Sequence, residues 1–302
     1  MQLPETICAL PLRGAGGEPI SFARTIYSHG CALLPPATVE EEPLVYRRTI
    51  RVGDKTVEIA LRECNGDVVA QGARRLSLSE RRRVGSIVAR MFRLNDDLSP
   101  FYAKAEQDER LRWSVVGAGR ILASPTVFED VVKTVCTTNC AWSATVRMTT
   151  ALVELGGGAF PEAETLARAS DDWYRIEARM GYRGPYVKQI ARDVASGRLD
   201  LESLLAHAGR TDEEVEKMLL SLPGIGPYAA AHVMQMLGRH RRLVLDSWTR
   251  PKFVRLARKQ RASDATIRRA FSRYGEHAGL AFWLYLTRDW LEDERANEPS
   301  RR

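Results

Sequence analysis

The chain has 302 residues, enough for two domains or one large one, and 44% of them are hydrophobic, which can supply a real core. A net charge of +7 and a pI of about 9.3, carried mostly by arginine, favour a polyanionic partner. No span approaches the roughly 18 consecutive apolar residues of a membrane-spanning helix, which excludes that class.

Residues 1–12 lack the basic start and apolar run of a secretory leader. Cys8, Cys31, Cys64, Cys136 and Cys140 are odd in number and mostly far apart. A reduced, cytoplasmic protein is therefore expected, and a monomer is the expected state. From residue 22 to 72 the chain reads as β. Thr49–Val52 and Thr56–Leu61 flank the hairpin signal Gly53-Asp54-Lys55, and Asn65-Gly66-Asp67 marks a second turn before Val68-Val69-Ala70. Pro35-Pro36 marks a loop. Residues 79–93 read as a helix with Val84, Ile87, Val88, Met91 and Phe92 on one face. Arg81-Arg82-Arg83 then lie on a solvated face rather than in a binding patch. Gly117–Gly119 separates residues 1–117, an α+β domain with a small antiparallel sheet, from residues 118–302, an all-α region. The fold class is α+β.

Ser124 and Pro125 read as the cap and first residue of the next helix, whose core face is Val127, Phe128, Val131, Val132 and Val135. The helix breaks in the small polar run 136–142, where Asn139 suits a C-cap. Cys136 and Cys140 are helix-spaced, but without a second pair or a nearby histidine no metal is expected on them. Gly156-Gly157-Gly158 is a loop. Gly181-Tyr182-Arg183-Gly184-Pro185-Tyr186 opens another helix, continuing through Val187, Ile190, Ala191 and Val194. By themselves Tyr182 and Arg183 read as a core tyrosine and a surface arginine.

Thr211 and Glu214 have capping-box spacing for a helix through Val215, Met218 and Leu219. Pro223 and Gly224 end it, Gly226 is expected to need a positive φ, and Pro227 suits the first position of the following helix. Ala230, Val233, Met234 and Leu237 give that second helix a buried face, and Gly238 is its C-cap. Two helices joined this way form a helix-hairpin-helix. Backbone N–H groups at Gly224, Ile225 and Gly226 can hold a phosphate without reading a base. The basic loop Gly238-Arg239-His240-Arg241-Arg242 follows, then Leu243-Val244-Leu245 and Asp246, before Ser247-Trp248-Thr249-Arg250. Asp246 reads as an N-cap. A capping carboxylate is also fixed in position and kept ionised, as a group must be to stabilise positive charge on a sugar losing its base. Arg241 and Arg250 are candidate phosphate contacts.

The run Leu222-Pro223-Gly224-Ile225-Gly226-Pro227-Tyr228-Ala229-Ala230, with the basic loop and Asp246, resembles the helix-hairpin-helix, glycine-proline-aspartate superfamily of DNA glycosylases. The resemblance extends over roughly Ala118 to Trp290. It lies between the 8-oxoguanine DNA glycosylases and the 3-methyladenine DNA glycosylase II group. Leu245 stands where many members have Pro or Val. The resemblance implies a base-excision repair enzyme acting on double-stranded DNA, nucleoid-associated, with Asp246 as the catalytic carboxylate. It implies that Asn139 fills the space left by the flipped base, that Tyr182 wedges beside the orphaned base, and that Arg183 hydrogen-bonds to it. Several relatives begin with a sheet domain of the kind expected here.

The same resemblance places Tyr228, His232 and Phe282 around the flipped base, and adjacency to Asp246 adds Trp248; Trp142 and Trp283 are further candidates. As the usual fate of tryptophan is the core, that reading stays open. Tyr228 replaces the nucleophilic lysine of the 8-oxoguanine enzymes, Phe282 their base-reading glutamine and Leu286 their phenylalanine. A monofunctional enzyme favouring alkylated purines is therefore expected. Some relatives carry an iron–sulfur cluster on cysteines after the catalytic aspartate; no cysteine follows Asp246, so no cluster and no required cofactor are expected. A monovalent cation on the hairpin carbonyls of Leu222 and Ile225 is possible by the same resemblance. The alternatives are a non-catalytic helix-hairpin-helix DNA-binding protein, a glycosylase for oxidised purines such as 8-oxoguanine, and a metal-handling protein, which the cysteine pattern argues against. Beyond Trp290 the chain becomes charged and should fray.

Overall fold

The computed structural model describes residues 5–206 and 209–290. Strands β1 (Glu5–Pro11), β2 (Ala37–Glu41), β3 (Leu44–Val52), β4 (Lys55–Cys64) and β5 (Asp67–Gly72) form one antiparallel sheet in the order β1-β5-β4-β3-β2. Both hairpin turns fall where the sequence placed them. Val52 pairs with Lys55 across Gly53-Asp54, and Cys64 pairs with Asp67 across Asn65-Gly66. Asn65 (φ 52°) and Gly66 (φ 82°) take the two positive angles that a type I′ turn requires. Alternation buries Tyr46, Ile50 and Val52 on β3 and Val57, Ile59 and Leu61 on β4.

Reading residues 22–72 as uniformly β was wrong at its start. Phe22–Ile26 is a short helix, α1, because the Ser21 hydroxyl accepts the Arg24 N–H (3.3 Å) and Phe22 and Ile26, one turn apart, are both buried. Gly30–Leu33 is a 3₁₀ turn, and β1 precedes the whole segment. Helix α2 (Leu78–Met91) begins slightly earlier than residue 79, because Ser77 and Glu80 form a complete capping box. Its buried face is Val84, Val88 and Met91.

The helices that follow are α3 (Ser99–Ala105), α4 (Val127–Thr137), α5 (Trp142–Leu155), α6 (Ala163–Arg168), α7 (Arg183–Ala195), α8 (Asp212–Leu220), α9 (Pro227–Met236), α10 (Thr249–Leu256), α11 (Asp264–Phe271) and α12 (Ala278–Thr287). The expected cap of α4 is corrected. Thr126, not Ser124, caps it, with Thr126 Oγ1 accepting the Glu129 N–H (3.1 Å), while the Ser124 N–H donates to Asp130 (2.8 Å). Pro125 therefore precedes the helix. Helix α8 has the predicted Thr211–Glu214 capping box. After α9, Gly238 N–H bonds Gln235 O and Arg239 N–H bonds Met234 O, the paired bonds of a Schellman stop.

Two cores result. One joins the sheet to α1, α2 and Leu122. The larger gathers the helices and includes Leu98, Phe101 and Leu111 from before Gly117. Buried charge ties them together. Arg48 on β3 and Lys133 on α4 both reach Glu129 at 2.7 Å, with all three side chains 2% exposed. Arg93 donates to Met236 O at the end of α9 (2.9 Å), and Arg120 pairs with Glu18. The Arg93 contact sets the end of the hairpin helix against the first half of the chain. Among the described residues no helix is long and apolar enough to cross a membrane. The fraying expected beyond Trp290 lies outside the described residues.

Candidate active site

The hairpin between α8 and α9 is pinned by buried Leu222 and Ile225; the Ile225 N–H, expected to be open to a phosphate, instead donates to Leu222 O (3.2 Å) and closes the turn. The positive φ expected at Gly226 is not there. Gly226 has φ −97° and ψ −177°, extended backbone open to any residue, because it is the N-cap of α9. The left-handed residue is Gly224 (φ 81°), where a Cβ would also lie 2.8 Å from the Tyr186 ring. At Gly226 a Cβ would meet nothing within 4 Å. No side chain caps α9, Pro227 occupies its first turn, and both Gly226 and Pro227 are exposed. The first-turn N–H groups have no intrahelical acceptor and no side-chain cap, which is what an oxyanion can use.

The basic loop after α9 is less free than its composition implies. Arg239 turns inward to Asp212 (2.7 Å) and Arg210 O, and the buried His240 carbonyl accepts the Gly279 N–H (2.7 Å). A Cβ on Gly279 would lie 2.0 Å from Arg242 O, so α12 meets this loop backbone to backbone. That contact sets the loop's exit and hence Asp246. Arg242 pairs with Glu216 (2.6 Å), and exposed Arg241 makes a long contact with Glu213 (3.4 Å).

Asp246 is half-buried just before α10. Its Oδ1 accepts the N–H groups of Trp248 (2.9 Å) and Thr249 (2.6 Å), and its own N–H donates to Thr249 Oγ1 (2.8 Å). One carboxylate oxygen is thus locked as a cap, and Oδ2 has no hydrogen-bond partner among the described residues. A carboxylate held on one oxygen with the other available is oriented without being neutralised.

Beside it lies an aromatic cluster. Tyr228 and His232 stack along α9 with centroids 6.2 Å apart. Trp283 meets His232 edge-on (6.2 Å) and packs against Trp248 (5.9 Å) and Trp290 (5.8 Å). Lys252 Nζ stands 5.1 Å over Trp248 and pairs with Asp289 (2.8 Å). Exposed Trp142 covers Gly30. Burial pushes the Tyr228 phenol up to about 12, with Asp246 among the negative neighbours that add to this. Burial pushes His232 down to about 3, reinforced by His29, so His232 is the neutral imidazole at physiological pH and not an imidazolium acid.

Phe282 does not join this cluster. It is 0% exposed and packs into the core against Phe271 (5.4 Å) and Phe253 (6.3 Å). Its neighbour Trp283, about 100° round the helix, faces His232 instead. Almost every residue of α12 is buried, so hydrophobic periodicity could not say which side looks at the site. Trp290 was missed because it sat where the sequence becomes charged.

The remaining candidates are only partly grouped. Asn139 is exposed at the turn between α4 and α5 with φ 46°, consistent with its helix-ending role. Arg183 is buried, and its Nε and Nη2 donate to Thr138 O, with Nη2 also reaching Asn139 O (3.0 Å). It holds the Asn139 turn, a different use from the expected bond to an orphaned base. Exposed Tyr182 lies under the Arg183 guanidinium, 4.4 Å from ring to carbon. Arg250 is engaged by both oxygens of Asp264 (2.8 and 3.0 Å).

No family model matches this chain. It is 26% identical over 167 residues to a DNA-3-methyladenine glycosylase of Bacillus subtilis (strain 168), an alignment covering 51% of this chain and 54% of that protein. The chain thus spans about half the length of the curated relative it matches. Among solved structures it superposes on the 3-methyladenine DNA-glycosylase from Archaeoglobus fulgidus with a TM-score of 0.71 at 22% identity, covering 94% of this chain and 99% of that one. It superposes on a Clostridium acetobutylicum 8-oxoguanine glycosylase/lyase in complex with double-stranded DNA with a TM-score of 0.70 at 19% identity, covering 91% and 93%. The chain has the fold of these two glycosylases.

Proposed function

We propose that this protein is a DNA glycosylase of base-excision repair that hydrolyses the N-glycosidic bond of a flipped, damaged base. The observation that carries the proposal is Asp246: one oxygen held by the Trp248 and Thr249 N–H groups, the other available, beside an aromatic cluster and downstream of a hairpin whose second helix has no side-chain cap. The hairpin amides take a phosphate, which fixes the duplex regardless of sequence. The nucleotide leaves the stack. As the C1′–N bond breaks, its electron pair leaves with the base and positive charge grows on the sugar. The Asp246 carboxylate stabilises that charge and accepts a proton from the water that adds to C1′. The products are a free base and an intact abasic site.

The substrate class follows from the cluster. Aromatic faces stack well on a positively charged alkylated purine. Such bases leave readily, so a neutral His232 is no handicap. The core position of Phe282 removes it from this argument; Tyr228, Trp248 and Trp283 carry it. Duplexes each bearing one lesion should release 3-methyladenine or 7-methylguanine well above 8-oxoguanine opposite cytosine. Robust 8-oxoguanine release with none from methylated DNA would reverse the substrate and keep the glycosylase. Binding without release of any base would favour the non-catalytic reading.

The same geometry supports a monofunctional enzyme. A lyase needs an amine at the sugar, and Tyr228 stands at the start of α9. Lys133, Lys188 and Lys252 are each paired with a carboxylate. Borohydride added during turnover should trap no enzyme on DNA. Efficient trapping that disappears in Lys252→Gln would assign the amine over Trp248 instead.

A further inference from the structure

Beneath the aromatic cluster lies a group that the proposed reaction does not use. His29, Cys31 and His232 are 2%, 8% and 4% exposed, and one potential ligand atom from each lies within 4.8 Å of the other two. His29 and Cys31 flank Gly30 at the 3₁₀ turn after α1, under the Trp142 ring, while His232 comes from the hairpin helix. The His29 and His232 rings meet edge to face at 5.1 Å.

The hydrogen bonding is incomplete in a specific way. His29 Nε2 sits 2.7 Å from Leu122 O, which makes it the protonated nitrogen and leaves Nδ1 with a lone pair. Among the described residues Nδ1 is buried without a partner, and neither nitrogen of His232 has one. A buried imidazole nitrogen without a partner is costly. A metal-bound histidine commonly donates its second N–H to a backbone carbonyl, as His29 does to Leu122.

We propose that His29, Cys31 and His232 form a binding site for one soft divalent cation, with Zn²⁺ the best fit. Two imidazoles and a thiolate are a donor set suited to zinc. Bonds of about 2.0–2.3 Å place tetrahedral ligands roughly 3.3–3.8 Å apart, so a modest closure of these side chains completes the set. Binding replaces the thiol proton, which is released to solvent. The ion fastens the 3₁₀ turn of the first half of the chain to α9, directly behind Tyr228. Three protein ligands leave a fourth position for water or a small ligand. Metal binding here does not depend on DNA or on the lesion.

The test uses full-length protein stripped with a chelator and titrated with Co²⁺, then Zn²⁺. Saturation at one equivalent is expected, with a thiolate-to-cobalt charge-transfer band, displacement of Co²⁺ by Zn²⁺ and a rise in Tm. Cys31→Ser and His29→Gln, each checked for folding by circular dichroism, should abolish the band or weaken Co²⁺ binding at least about 100-fold. Cys136→Ser/Cys140→Ser should bind as wild type does. Folded wild-type protein without the band would overturn the site. So would a band that survives in Cys31→Ser, or one lost only when Cys136 and Cys140 are removed.

Discussion

Asp246→Asn is expected to lower single-turnover base release by about 10²–10⁴-fold while leaving the fold and duplex affinity near wild type. The amide oxygen of asparagine can still accept the Trp248 and Thr249 N–H groups that Asp246 Oδ1 accepts now, and asparagine caps helices as well as aspartate does. What disappears is the charge. Asp246→Ala removes the cap as well and should cost a further ~0.5–2 kcal/mol of stability, read from denaturant midpoints. The pair of variants separates the two roles. Near-wild-type turnover in folded Asp246→Asn would show that the residue is only a cap.

The second large effect concerns stability. Burial alone would push the Glu129 carboxyl up, but Arg48 and Lys133 outweigh it and hold it below its ordinary value; at Lys133 burial wins and lowers the ammonium. Glu129 is therefore the carboxylate shared by two cationic side chains that have almost no access to water. Glu129→Gln leaves both uncompensated, and urea unfolding should show a loss of about 3–5 kcal/mol. Replacing Arg48, Glu129 and Lys133 together by apolar residues of similar volume should recover most of it, since the cost lies in unpaired buried charge. A Glu129→Gln loss below ~1 kcal/mol would mean that water reaches the trio. The expected damage is to the seam between the sheet and the helices, and so to the placement of α9.

Features governed by neighbours a few residues apart were legible before any coordinates. The Asn65-Gly66 turn, the Thr211–Glu214 box, the Gly238 stop and the cap at Asp246 each depend on local backbone angles and short-range hydrogen bonds. Local expectations also failed where two nearby residues suit the same role: Thr126 rather than Ser124 caps α4, and Gly224 rather than Gly226 takes the left-handed angle, because Gly226 is the cap residue and the turn lies before it.

What the tertiary structure alone decided is where side chains of ambiguous character go. Helix α12 is apolar on nearly every side, so only its neighbours determine that Phe282 faces Phe271 and Trp283 faces His232. An arginine's reach covers several partners, and packing commits Arg183 to the Thr138–Asn139 carbonyls and Arg239 to Asp212. His29 and Cys31 meet His232 from widely separated parts of the chain, where Arg93 also reaches across to Met236 O at the end of α9. No spacing rule reaches that far. Local sequence sets backbone geometry through nearby hydrogen bonds, whereas side-chain partnerships follow from burial, which the whole fold settles at once.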